Sequence, residues 1–256
     1  MIPSLIKYLQ TPVQTNRNLL ADLSDDNRGL PILTDSPCHH TEGCTLCAEE
    51  CVASAIVLQQ DREPHVTLDL GACIACGRCT DVCPTGTITV SRSTRRAVTR
   101  RDDLVLKSGD IVPVPVLASK SPFRNSMVVR YVSTGDNATD MEVGACQNPI
   151  FDVGRFGIQF TASPRFADAL LIGGPVPLAM QQPLRLCLDA MAEPKVVIAV
   201  GTQAITGGLL RGRYARANGV TTVVKPDVWI PGNPPHPWLI IHGLLLAMGN
   251  PLVITP

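Results

Sequence analysis

The sequence has few charges, few aromatic residues and no apolar run long enough to span a bilayer. Charged residues make up 17% and aromatic residues 4% of the 256 residues. The 22 basic and 22 acidic residues cancel, so the charge balance does not point to nucleic acid as a partner. The longest apolar run, 238–248, is shorter than the roughly 18 residues of a transmembrane helix and reads as a packed helix. Low charge with positive mean hydropathy predicts a surface partly covered by other subunits.

Cysteine, in contrast, is plentiful: eight of the ten cysteines lie in two tandem motifs. In the second motif the gaps are two, two and three residues and a proline follows, over Cys73, Cys76, Cys79 and Cys83. This is the spacing of two-cluster bacterial ferredoxins, in which three thiolates bind one [4Fe–4S] cube and the fourth reaches the other cube. Two cubes are therefore predicted in preference to a zinc site or disulfides.

The spacing rule divides the eight cysteines into two sets of four. One cube would be held by Cys51, Cys73, Cys76 and Cys79. The other would be held by Cys38, Cys44, Cys47 and Cys83. Because each set takes residues from both motifs, we expect the fold to bring the two motifs side by side.

The first motif departs from the usual pattern around Cys38. Five residues separate Cys38 from Cys44 where two are usual, and Val52 stands where a proline is usual. A longer loop can still bring Cys38 to the cube. The alternative is that His39 or His40 binds the cube in place of Cys38, which would raise the reduction potential.

The chain divides into four predicted segments. Residues 1–34 have too little apolar surface for a core and are interpreted as a docking arm. Residues 35–92 are predicted to form a ferredoxin-like α+β domain that holds both cubes. Residues 93–126 are predicted to be a basic, proline-rich linker, more typical of a solvated segment than of a partner site. Residues 127–256 are predicted to form a flavodoxin-like α/β domain.

The α/β prediction rests on short β-branched runs that alternate with helical stretches. Candidate strands lie at 127–132, 157–160, 169–172, 195–200 and 220–224. Such alternation with apolar strands favours a parallel sheet covered on both faces. Functional loops of such sheets follow the carboxyl ends of the strands. The loops 173–175, 201–204 and 231–235 are therefore expected at one edge.

The second half of the chain resembles a family of small subunits. The matching stretches are 148–152, 155–158, 162–168, 193–195 and 227–232. They resemble the small subunit of energy-converting [NiFe] hydrogenases of the formate hydrogenlyase type and the homologous 20-kDa subunit of respiratory complex I. The ferredoxin half resembles the two-cluster, 23-kDa subunit of the same complexes. The resemblance implies a fusion of two subunits that are usually separate.

In those relatives the small subunit holds one more cube on cysteines from three loops. The corresponding loops of this chain carry no cysteine and contain Asn137, Asp140, Gln203 and Asn233. Because amides and a single carboxylate are poor ligands for a cube, the resemblance implies a vacated site filled by a polar network. A replacement metal or a small polar ligand are the alternatives. Cys146 and Cys187 are interpreted as buried small apolar residues.

The leading hypothesis is an electron-transfer subunit with two [4Fe–4S] clusters and no catalytic site of its own. The resemblance implies a hydrogenase-like large subunit and membrane-arm subunits as partners, with a redox donor protein as an option. Residues 1–7 lack the features of a secretory signal, and cluster thiolates fit a reducing compartment. The expected location is the cytoplasmic side of the inner membrane, reached through partners. The alternative is a structural or coupling scaffold with relict clusters.

Overall fold

The computed structural model describes residue 20 and the ranges 22–59, 65–108, 121–135 and 138–250. Residues 1–19 and 21 of the predicted docking arm lie outside these ranges. The end of the predicted arm is corrected, because Leu30–Leu33 forms a strand that pairs within the cysteine-rich half. Within them the strands form a two-stranded, a three-stranded and a five-stranded sheet. The two small sheets belong to the cysteine-rich half and the large sheet to the second half.

The cysteine-rich half repeats one pattern, a cysteine loop followed by a short helix and a strand. In chain order its elements are β1 (Leu30–Leu33), α1 (Leu46–Glu49), β2 (Ile56–Gln59), β3 (His65–Asp69), α2 (Arg78–Asp81), β4 (Ile88–Ser91) and β5 (Val105–Lys107). Strand β1 pairs antiparallel with β4, and β3 lies between β2 and β5, antiparallel to both. The two repeats thus put α1 and α2 side by side.

The predicted linker is folded in its first part, which corrects the interpretation of residues 93–108 as a solvated segment. Strand β5 completes a sheet with β3, and Ala97, Val98 and Leu104 are buried. The Arg101 guanidinium lies 2.6 Å from the Asp69 carboxylate. The arginines around these positions make the few apolar residues hard to recognise in the sequence. These apolar residues pack between the two halves. Residues 109–120 of the predicted linker lie outside the described residues.

The second half is a five-stranded parallel sheet, which confirms the predicted fold class. In chain order its elements are β6 (Met127–Ser133), α3 (Thr139–Ala145), β7 (Ile158–Phe160), β8 (Ala169–Gly173), α4 (Leu178–Asp189), β9 (Val196–Val200), α5 (Thr202–Thr206), β10 (Val228–Ile230) and α6 (Pro237–Met248). The strand order is β10-β9-β8-β6-β7, and every pair is parallel. All five residues of the central β8 are buried, as a strand covered on both faces requires.

The candidate strand at 220–224 is wrong: this stretch holds a short 3-10 turn, Val220–Thr222. Val220 and Val224 are buried while the intervening threonines are more exposed. A short β-branched run cannot be assigned by its composition alone. The sheet takes its fifth strand from β10 instead, whose Val228, Trp229 and Ile230 are all buried.

Helix α6 packs against the sheet, as predicted for the longest apolar run. Gly243 permits the close approach, because a Cβ on this residue would lie 2.4 Å from the Ile230 side chain. Among the described residues no helix has both the length and the apolar character needed to cross a membrane.

The two halves also join at the start of the folded linker. Val98 and Trp229 of β10 exchange backbone hydrogen bonds, at 3.0 and 2.8 Å. The Ala97 amide donates to the Nδ1 atom of His242, which is fully buried in α6. Burial and then the nearby Arg95 lower the pKa of His242 to about 4. His242 is therefore neutral in the folded protein.

We expect the buried His242 to make the folded state less stable as the pH falls from about 6.5 toward 4. In this window the unfolded chain binds a proton that the folded chain does not, at a cost of up to about 1.4 kcal/mol per pH unit. Above pH 6.5 neither state is protonated there and the effect vanishes. The free energy of unfolding, measured with denaturant at several pH values, should fall less steeply with decreasing pH for His242→Gln than for the wild type. Equal slopes for both proteins would contradict this role of His242.

Candidate iron–sulfur sites

The second predicted cysteine set surrounds one cavity in the cysteine-rich half. The residues that line it include Cys51, Cys73, Cys76 and Cys79. Cys51 follows α1, Cys79 lies in α2, and the other two lie in the loop before α2. The packing of α1 against α2 therefore brings together cysteines from both motifs.

The first predicted set surrounds a separate cavity on the other side of the repeat. Its lining includes Cys38, Cys44, Cys47 and Cys83. His39 also lines this cavity, whereas His40 is not among the lining residues. The Nδ1 atom of His39 lies 3.7 Å from the Glu42 carboxylate, and the His39 side chain is about half exposed.

The thiols within each set lie close enough to influence one another. Burial, and after it the thiols of Cys38, Cys83 and Cys44 in that order, raise the pKa of Cys47 to about 11. Burial likewise raises the pKa of Cys73 to about 12, with contributions from the other three cysteines of its set. In the absence of a bound cation these thiols hold their protons, so binding of metal must release them.

Hydrogen bonds to sulfur favour the thiolate form at several positions. The Ala55 amide donates to the sulfur of Cys51 at 3.2 Å, and the Ala75 amide donates to that of Cys73 at 3.3 Å. Burial raises the pKa of Cys83, but hydrogen bonds from the Ile88 amide and from Thr85 outweigh it, and the pKa is lowered. Such bonds are among the factors that set the potentials of iron–sulfur clusters.

The donor set of each cavity suits an iron–sulfur cube. Across the described part of the chain, no group of three or more His, Cys, Asp or Glu side chains is arranged to hold one metal ion. In a cube, iron and sulfide atoms stand between the four thiolates, so the ligands lie farther apart than around one ion. Each cavity is ringed by four thiols, the soft ligands that select iron–sulfur clusters.

The α/β half holds the second cysteine set directly through two buried threonines. The Thr202 hydroxyl donates to the carbonyl oxygen of Cys73 at 2.7 Å, and the Thr206 hydroxyl donates to that of Gly71 at 3.1 Å. Both threonines lie in α5, which begins at the carboxyl end of β9. The sequence offered no signal for this contact, because single threonines in a predicted loop are unremarkable.

A cleft of about 570 Å³ separates the cysteine loop from the loop after β10. Arg28 and Cys76 line one side, and the Arg28 guanidinium donates to the Cys76 carbonyl oxygen at 3.3 Å. Glu142, Asn233 and His236 line the other side. Cys76 lines both this cleft and the cavity of its own cysteine set.

The residues predicted to fill a vacated third site have different surroundings. Asn233 lines the cleft, whereas the Asp140 carboxylate accepts hydrogen bonds from the hydroxyls of Tyr131 and Ser133. Gln203 lies in α5 and is half-buried. Asn137 lies outside the described residues. A single pocket formed by all four remains a prediction.

Thr139 was missed by the sequence reasoning and lies between these loops. It is fully buried, and its hydroxyl has no hydrogen-bond partner among the described residues. A Cβ on Gly201 would lie 3.0 Å from this hydroxyl oxygen and 3.5 Å from the Gly232 carbonyl oxygen. Buried hydroxyls are normally paired, so Thr139 marks an unusual position at the carboxyl edge of the sheet.

The two cysteines outside the motifs differ in their surroundings. Cys146 is fully buried, as predicted, and burial raises its pKa to about 12. Cys187 is half-buried in α4 beside Arg130, which corrects its interpretation as a core residue. Neither lines the two cysteine cavities.

Each half of the chain is similar to a known protein family. Residues 137–247 match the family model of the NADH ubiquinone oxidoreductase 20 kDa subunit, and residues 41–88 match that of a 4Fe–4S dicluster domain. Formate hydrogenlyase subunit 7 of Escherichia coli is 36% identical over 126 residues, which cover 49% of each chain. The B-type subunit of the NADH-quinone oxidoreductase of Mycobacterium ulcerans is 42% identical over 106 residues, covering 41% of this chain and 57% of the relative. The chain spans about half the length of these relatives.

Similar solved structures come from two further complexes. One chain belongs to a membrane-bound sulfane sulfur reductase, an archaeal respiratory membrane complex; it is 27% identical, with a TM-score of 0.46 over 49% of this chain and 70% of that one. Another belongs to an NAD⁺-reducing [NiFe]-hydrogenase; it is 19% identical, with a TM-score of 0.37 over 46% and 89%.

The fold and the two family matches define the class: an iron–sulfur protein in which a dicluster ferredoxin-type domain is joined to a flavodoxin-like α/β domain. Within this class, the chain is related to the iron–sulfur subunits of complex I and of formate hydrogenlyase-type complexes. The comparisons confirm the predicted relationship to these two kinds of subunit.

Proposed function

We propose that the chain is an electron-transfer subunit of a membrane-associated complex related to complex I and formate hydrogenlyase. One [4Fe–4S] cluster would be held by Cys51, Cys73, Cys76 and Cys79, and the other by Cys38, Cys44, Cys47 and Cys83. When bound, the two clusters would supply one-electron transfer. The observation that carries the proposal is that each interleaved set of four thiols lines one cavity.

The partners in this proposal are a hydrogenase-like large subunit and membrane-arm subunits on the cytoplasmic side of the inner membrane. Two relatives are named as subunits of a formate hydrogenlyase and an NADH-quinone oxidoreductase, which supports assembly with other chains. Met141 and Ile150, in and just after α3, are 75% and 74% exposed. Large apolar side chains with so much exposed surface support a surface that a partner covers.

We also propose that the third cluster site of the family is vacated. The segments that follow β9 and β10 carry Gln203 and Asn233, and neither amide is a cube ligand. The Asp140 carboxylate is already engaged by two hydroxyl donors. The buried hydroxyl of Thr139, which has no hydrogen-bond partner among the described residues, lies close to Gly201 in the same region.

The full chain, purified under anaerobic conditions, should contain about eight irons and eight labile sulfides, the content of two cubes. Electron paramagnetic resonance of the reduced protein should show one interacting pair of clusters. About twelve irons with a third, magnetically separate signal would overturn the vacated site.

The scaffold alternative is tested in the assembled complex with Cys79→Ser. If electrons pass through this subunit, the variant complex should still assemble, but its rate of reducing an artificial electron-accepting dye should be almost lost. Unchanged turnover with one cluster missing would favour the scaffold and overturn the electron-transfer role.

A further inference from the structure

The loop after α5 concentrates positive charge in a chain that is neutral overall. We call residues 207–217 the arginine loop; it carries Arg211, Arg213 and Arg216. No acidic residue occurs between Glu193 and Asp227, so the sequence offers this loop no neighbouring carboxylate. Among the described residues, the salt bridges that form do not involve these three arginines.

Exposed apolar side chains accompany these charges. Tyr214 is 98% exposed and Leu209 is 52% exposed, both within the arginine loop. Leu178, at the start of α4, is 55% exposed, and its amide donates to the Ala215 carbonyl oxygen at 3.0 Å. The loop and the helix start therefore form one surface that mixes leucines, a tyrosine and arginines.

The arginine loop has a defined shape. The Gly212 amide donates to the side-chain oxygen of Asn218 at 2.8 Å, and the Ala217 amide donates to the Val176 carbonyl oxygen at 3.0 Å. At the amino end of the loop, the Gly207 amide donates to the Gln203 carbonyl oxygen at 2.9 Å. Because both ends are held, the arginines and Tyr214 are presented together without a large loss of backbone freedom on binding.

From this surface we propose that the arginine loop binds directly to an anionic lipid headgroup surface. Cations near such a surface gain about 1 kcal/mol each, roughly fivefold in affinity, and a tyrosine places its ring and hydroxyl at the headgroup level. Leucines between the cations can enter the boundary with the acyl chains. The contact goes beyond the proposed function, in which the membrane is reached only through partner subunits.

An acidic protein surface would also attract the arginines. The combination of arginines with exposed Tyr214 and exposed leucines favours the lipid. The headgroup layer accommodates the ring and the acyl boundary accommodates the leucines, whereas an acidic protein surface would attract mainly the charges. The lipid surface is therefore the occupant to which we commit, and an acidic polypeptide is an outcome of the test.

The test is flotation of the cluster-loaded full chain with vesicles. We expect binding to vesicles of equal parts phosphatidylglycerol and phosphatidylcholine, little binding to pure phosphatidylcholine, and loss of binding in high salt. The double variant Arg211→Gln/Arg213→Gln should bind about 25-fold more weakly, and Tyr214→Ala should bind several-fold more weakly. Arg213→Lys keeps the charge and should retain binding.

Arg165 and Phe166 give a matched control, since they are an exposed arginine and an exposed aromatic ring before the amino end of β8, at the other edge of the sheet. Arg165→Gln/Phe166→Ala should bind vesicles like the wild type. Iron content and circular dichroism show that each variant is folded. Three outcomes would each overturn the proposal. The first is equal binding of the wild type to both vesicle types, and the second is an equal loss of vesicle binding in the control variant. The third is binding to polyglutamate but not to the anionic vesicles.

Discussion

Replacing Cys76 by Ser is expected to remove one of two clusters and to lower the iron content from about eight to about four per chain. Cys76 lines the cavity of the second set with three other thiols, and a serine oxygen is a harder, poorer ligand for iron–sulfur clusters. Since cluster binding contributes to folding, the cysteine-rich half should also unfold more easily. Iron and labile-sulfide analysis under anaerobic conditions measures the first effect, and thermal unfolding measures the second.

Cys187→Ser is the matched control for this experiment. Cys187 lies half-buried in α4, away from both cysteine cavities, so the same change of sulfur to oxygen should leave the iron content at about eight. The assignment of the second set fails if Cys76→Ser retains all its iron, or if Cys187→Ser loses as much iron as Cys76→Ser.

The cysteine spacing was informative because cluster ligation restricts a short stretch of chain so strongly. Three thiolates that converge on one cube need a tight loop, and the fourth must lie one helical turn later. The structure places Cys79 in α2 and Cys83 beyond it accordingly. The parallel sheet was predictable for a similar reason, because strands buried on both faces, such as β8, must be continuously apolar.

The contact between the two halves could not be predicted in the same way. Thr202 and Thr206 reach backbone carbonyl oxygens more than 100 residues away in the sequence. Every residue has a backbone carbonyl oxygen, so the residue type of the acceptor does not indicate such a bond, and the sequence does not predict it. The folded stretch around β5 was hidden differently, since its few buried apolar residues are scattered among arginines.

These contacts give the α/β half a physical role that does not depend on a third cluster. Helix α5 holds the loop of Cys73 through the buried bond from Thr202, and Arg28 holds the carbonyl of Cys76 from the other side. The second cysteine set is thus fixed against the sheet edge where the family resemblance implies a third cluster site. A buried, fully formed bond of this kind restricts loop movement more than a solvent-exposed one does.

Replacing Cys38 by Ala is expected to damage the first cluster, whereas His39→Ala should leave it intact. Among the thiols that raise the pKa of Cys47, Cys38 has the largest influence, so it lies close to the other members of its set. His39 also lines this cavity, but its Nδ1 atom is directed to Glu42 and its side chain is about half exposed. We therefore expect Cys38, and not His39, to reach the ligand position through the longer loop before Cys44.

The measurement is iron content together with the reduction potentials of both clusters, determined for Cys38→Ala, His39→Ala and the wild type. Loss of about half the iron in Cys38→Ala, with wild-type iron and potentials in His39→Ala, supports four-thiolate ligation. The reverse pattern would establish imidazole ligation, which raises the potential of a cluster. His40→Ala separates a packing effect from ligation, because His40 is buried but does not line the cavity: it should lower stability while keeping two clusters.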